Sequence, residues 1–85
     1  AGQDARALVD EAVGALDEVM QANSRDSIAL RLRADARRMA AEIERAAGRE
    51  WQPLAALSLR DYGAVLRLVV RDSRATAGLE AVKAL

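Results

Sequence analysis

The densest apolar stretch of the chain, Leu59-Arg60-Asp61-Tyr62-Gly63-Ala64-Val65-Leu66-Arg67-Leu68-Val69-Val70, is the feature that most restricts its fold. Leu59, Tyr62, Leu66 and Val69 recur three or four apart, on one face of a helix, and Val65 and Leu68 widen that face beyond a single stripe. Little of the circumference is left polar. The stretch is therefore expected to be the central helix of a small bundle, begun by Ser58 with Asp61 three residues on in the manner of a capping box.

The flanking segments read as further helices. Asp4 can cap a first one from Ala5 to about Ala22, with Leu8, Ala12, Val13, Leu16, Val19 and Met20 as its apolar face. Val9-Asp10-Glu11-Ala12-Val13 is echoed seven residues later by Leu16-Asp17-Glu18-Val19-Met20, which keeps acids on one side and aliphatics on the other. Gly14 is a weak point there, costing about 1 kcal/mol against alanine. Asn23-Ser24-Arg25-Asp26 forms a turn. Asp26 or Ser24 then caps a second helix over about Ser27 to Ala47, ended by Gly48. Its seam of Ala29, Leu32, Ala36, Met39, Ile43 and Ala46 is narrow and suits close contact with one neighbour.

Pro53 fits the first turn of a short helix through Leu57, and Trp51 before it is expected to pack over the end of the bundle. After a turn at Arg71-Asp72-Ser73, a last helix from Arg74 to Leu85 turns Leu79, Val82 and Leu85 inward and is weakened by Gly78. Together these elements predict an all-α fold: one domain over residues 1–85, an up-and-down four-helix bundle with a short extra helical turn near Pro53. A start at Ala1-Gly2 without methionine fits a domain excised from a larger protein.

Composition removes several function classes. Thirteen basic residues balance thirteen acids, which argues against a general nucleic-acid or membrane binder. There is no cysteine and no histidine, so thiol chemistry, disulfides, the usual general base and most transition-metal sites are absent. No run is apolar for long enough to span a membrane and no signal-peptide pattern opens the chain, so a soluble, cytoplasmic protein is expected. The excess of alanine, and of arginine over the single Lys83, has the bias of a GC-rich bacterial genome.

Charge is unevenly shared. Residues 1–24 carry five acids against Arg6, and residues 25–49 carry seven arginines against four acids. The first two helices should therefore pair antiparallel with opposite charge on their flanks, although each exposed pair contributes only about 0–1 kcal/mol. The acidic pairs Asp10-Glu11 and Asp17-Glu18 are the one arrangement with Mg²⁺-like oxygen chemistry. Facing arginines, they read instead as a solvated, ion-paired face, and no metal or cofactor is expected. Arg67, between Leu66 and Leu68, is expected to lay its stem over the core and keep its head in water.

Asp26-Ser27-Ile28 resembles the Asp-Ser-Leu motif at which acyl carrier proteins take their phosphopantetheine arm. That resemblance implies Ser27 as an attachment site. It covers three residues; the long loop before the serine and the acidic helix after it, both features of that family, are replaced here by a short turn and a basic helix. In size and composition the chain is also similar to small secretion chaperones, antitoxins and regulatory adaptors.

The function expected from these patterns is a non-catalytic protein–protein interaction module, a dimerisation or adaptor bundle. So small a chain cannot cover every apolar stripe it carries. Leu32, Ala36, Met39 and Ile43 of the second helix, Leu16 of the first, and Trp51 are the expected interface, with a second copy or another protein as partner. The alternative is a small nucleic-acid-binding regulator or antitoxin using Arg31, Arg37, Arg38 and Arg45, against which stand the interspersed acids Asp35, Glu42 and Glu44 and the near absence of aromatics.

Overall fold

Two aspartates start helices in this protein by the same chemistry. Asp26 accepts a hydrogen bond from the Ala29 N–H at 2.9 Å, and Asp72 accepts one from the Ala75 N–H at 2.9 Å. Each satisfies a backbone donor that the first helical turn leaves without a partner. The computed structural model describes residues 2–85, with side chains from Asp4 onward, as four helices: α1 (Gly2–Ala22), α2 (Ser27–Ala46), α3 (Gln52–Leu68) and α4 (Ser73–Lys83). Ala1 lies outside the described residues. The all-α four-helix expectation is met.

Helix boundaries differ from the sequence expectation most in two places, with smaller shifts at the ends of α2, α3 and α4, which close at Ala46, Leu68 and Lys83. α1 begins at Gly2, so Asp4 is not its cap but an acid in its first turn, where negative charge suits the helix dipole. α3 is one continuous helix, so the short turn at Pro53 is its first turn and not a separate element. The reason lies in what Ser58 and Asp61 do instead of capping. The Ser58 hydroxyl, fully buried, donates to the Ala34 carbonyl of α2 at 2.8 Å. Asp61, 3% exposed, is taken by two arginines of α2. Ala55-Ala56-Leu57 between proline and serine are strong helix formers, and nothing remains to break the chain there. At the end of α2 the expected stop is present: Gly48 has φ +72°, and its N–H and that of Arg49 return to the carbonyls of Arg45 and Glu44.

The hub is α2 rather than α3. It packs against all three other helices, whereas α1 packs on α2 alone and α4 closes against α3 and one edge of α2. Alanine is what makes this possible. Ala34 and Ala41, with Leu30, bring the backbone of α2 close to Ala55, Tyr62 and Val65 of α3 and Ala75 and Val82 of α4. Gly78 also belongs to this packing, contrary to its reading as a weak point. A Cβ there would overlap the ring of Tyr62, so the glycine is the slot into which that ring fits. Trp51 lies at the edge of this core, as expected, with the Arg45 guanidinium 5.6 Å from its ring centre. Arg67 is solvent-exposed.

Candidate interaction face on α1 and α2

α1 carries more apolar surface than one neighbour can cover. Val9, Val13, Leu16 and Met20 are partly buried, whereas Leu8, Ala12, Ala15 and Val19, one step round the helix, stay exposed. The single inward face expected from the sequence drew on both sets, Val13, Leu16 and Met20 from the first and Leu8, Ala12 and Val19 from the second. No side chain between Asp4 and Ala22 is fully buried.

Two ionic clusters fix how α1 lies on α2. Near its start, Arg6 reaches Glu44 at 3.0 Å while also bonding Asp10 at 2.9 Å. Near its end, Asp17 accepts from Arg33 at 2.9 Å, and the same guanidinium grips both oxygens of Asp61 in α3 at 2.9 and 3.0 Å. Arg37 adds a third bond to Asp61 at 2.7 Å. The helices are thus antiparallel, as the charge asymmetry predicted. Hydrogen bonds from Arg49 and Arg6 hold the Glu44 carboxyl below the usual carboxylate range. Bonding to Asp61 keeps the Arg33 guanidinium firmly protonated.

Between the two helices lies an apolar groove of about 460 Å³ lined by Ala12, Ala15, Leu16, Leu32, Asp35, Ala36 and Met39. Its single acid is already engaged. Asp35 accepts a short hydrogen bond from the Tyr62 hydroxyl, and burial with that bond pushes the phenol pKa well above its ordinary value. Among the described residues eight large apolar side chains are conspicuously exposed, and five of them, Leu8, Val19, Ile28, Leu32 and Met39, belong to α1 and α2 at the spacing of this face. Leu57, Val69 and Val70 lie elsewhere.

Of the residues named from sequence, Leu16, Leu32, Ala36 and Met39 are brought together in the groove, and Ile43 continues the same stripe of α2, half-buried. Trp51 is not among them, being held at the edge of the core. Leu8, Ala12, Ala15, Val19, Ile28 and Asp35 were not among the expected interface residues, although Leu8, Ala12 and Val19 were read as part of the apolar face of α1; the signal that could have found them is a second set of four-and-three spacings beside the first.

The arginines of α2 do not form one free patch. Arg37 is tied to Asp61; Arg31 sits 3.5 Å from Asp35; Arg38 is 3.8 Å from Glu42 with its Nε buried and unbonded; Arg45 covers Trp51. Ser27 is the first residue of α2, directly behind the capping Asp26. Among the described residues no three His, Cys, Asp or Glu side chains are placed to hold a metal ion, and no helix is long and apolar enough to cross a membrane. Compared with protein-family models, curated proteins and solved structures, the chain matches none.

Proposed function

We propose that this chain is a non-catalytic protein–protein interaction module whose docking surface is the open face of α1 and α2. The observation that supports this most directly is the exposure of Leu8 and Ile28, 67% and 64%, beside a groove whose lining is almost wholly apolar. Full burial of such a side chain contributes about 1.5–3 kcal/mol, so a partner that covers this face has several such increments to gain. A contiguous apolar surface rimmed by charge is the usual mark of a protein contact. Two antiparallel helices lying side by side with a groove between them suit another helix, read through anchors three and four residues apart.

A photoreactive benzoylphenylalanine placed at Met39 in the producing cell tests the reading. A discrete cross-linked product from Met39, absent when the probe stands at Glu80 on the outer side of α4, is the expected result. No product, or the same products from both positions, overturns it. The mass of the product says whether the partner is this chain or another.

A further inference from the structure

The face itself specifies its occupant. The exposed stripe of α1 runs Ala5, Leu8, Ala12, Ala15, Val19, Ala22, and that of α2 runs Ile28, Leu32, Asp35, Met39, Glu42, Ala46, both in strict alternation of four and three. Each is the seam of a heptad repeat. In that repeat the position just before each first seam residue borders the seam on the side away from the intramolecular neighbour. On α1 it is filled by Asp4, Glu11 and Glu18; on α2 by Arg31, Arg38 and Arg45. One rim of the face is therefore acidic and the other basic, each with a spacing of seven.

Glu11, Glu18, Arg31 and Arg38 are the rim charges that concern the contact between copies. Glu11 and Glu18 are exposed, and among the described residues no hydrogen bond or ion pair engages either. Arg31 and Arg38, with side chains 15% and 25% exposed, stand 3.5 and 3.8 Å from Asp35 and Glu42 on their own helix, whereas a charge-assisted hydrogen bond lies at about 2.7–2.9 Å. Two acids lie inside the α2 seam: Asp35 accepts from the Tyr62 hydroxyl with Arg31 3.5 Å away, and Glu42 has Arg38 3.8 Å away, so each arginine of the basic rim also stands beside a seam carboxylate.

Two copies can oppose this face in two ways. With the twofold axis across the helices, α1 lies on α1 and acid meets acid. With the axis along the helices, α1 of one copy lies antiparallel on α2 of the other, and the acidic rim meets the basic one. The register set inside each chain by Arg6 with Glu44 and Asp17 with Arg33 then carries over, and it places Glu11 level with Arg38 and Glu18 level with Arg31 of the second copy. Size agrees as well. Helices of 21 and 20 residues are about 30 Å long, and a pair lying about 9 Å apart offers a face near the roughly 800 Å² per partner of a standard interface.

We infer that the chain forms a twofold dimer in which the α1–α2 hairpins of two copies make an intermolecular four-helix bundle, α1 on α2 of the other copy, with Glu11 and Glu18 facing Arg38 and Arg31. This rests on the interaction-module reading and names its partner as a second copy.

Light scattering over a range of concentrations, with circular dichroism to check folding, tests it on three proteins. The unaltered chain should reach twice its 9.1 kDa mass. E11R/E18R alters only exposed, unengaged side chains, so it should stay helical yet dissociate with a constant about 100-fold higher, four rim pairs having turned from attraction to repulsion. R31E/R38E should fail alone in the same way. Mixing the two charge-reversed proteins should restore a dimer of one chain of each, because both rims are again opposite in sign. A monomeric parent at every concentration overturns the inference; so does an E11R/E18R protein that dimerises as the parent does, a result that decides the matter even if R31E/R38E proves unfolded. The interaction-module reading survives either failure if the Met39 probe captures a different protein that the Glu80 probe does not, and falls with it if the Met39 probe captures nothing or gives the same products as the Glu80 probe.

Discussion

In α3, Tyr62 and Val65 are wholly enclosed, and in α4 Ala75 is too; in α1, every side chain from Asp4 to Ala22 keeps contact with water. Both regions are helical and rich in alanine and aliphatics. They differ in the number of neighbours. α3 and α4 pack against each other and against α2, so their small residues become points of close approach. α1 has α2 alone, lies on it by one stripe, and is clamped near both ends by ion pairs. The half built from α2, α3 and α4 therefore specifies the fold, and α1 is left free to present a surface.

The largest expected effect probes the junction of the two regions. Asp61 holds Arg33 and Arg37, whose side chains are only 19% and 17% exposed. Asp61→Ala leaves Arg37 without its acceptor and Arg33 with Asp17 alone, and should cost about 3–5 kcal/mol, a large share of the stability of so small a domain. Asp17→Ala removes only the bond from α1 to the same Arg33, at a site 43% exposed, and should cost about 1 kcal/mol or less. Urea titration of both variants checks this, and equal losses would break the distinction between a fold-bearing half and a docked helix.

A smaller effect sharpens the same contrast by changing sign. Gly78 faces the ring of Tyr62, so Gly78→Ala must push ring and helix apart and should destabilise by about 1–3 kcal/mol. Gly14 faces open space on α1, so Gly14→Ala should stabilise by about 0.5–1 kcal/mol through helix propensity alone. In a domain of this size each kcal/mol moves the melting temperature by about 4–8 °C, so a thermal scan separates the two directions.

Much of this molecule was legible from residue spacing. The four helices, the cap at Asp26, the stop at Gly48, the antiparallel α1–α2 pair and the convergence of Leu16, Leu32, Ala36 and Met39 all follow from local pattern, whereas Asp72, the cap of α4, reads from sequence only as part of a turn. What escaped were choices settled only by a distant partner. Ser58 and Asp61 have the form of a cap, but the Ala34 carbonyl, Arg33 and Arg37 claim them, 24 to 28 residues away in sequence. Likewise the densest apolar stretch was not the hub. A helix can serve three neighbours with alanines, which carry little hydropathic signal, and α2 does so with Ala34 and Ala41.

The smallest expected effect bears most directly on the role of α1. Leu8 and Ile28 are about two-thirds exposed, so changing both to glutamine removes almost no contact made within one chain. In dilute solution Leu8→Gln/Ile28→Gln should leave the unfolding free energy within about 0.5 kcal/mol of the parent. If the parent dimerises through this face, mass action makes it different at high concentration. Association stabilises the folded state and raises its melting temperature as the protein is concentrated, whereas the variant, lacking the apolar contacts of its open face, should melt at one temperature throughout. If the variant is instead destabilised in dilute solution, these side chains belong to the fold of the single chain, and α1 differs from α3 only in degree.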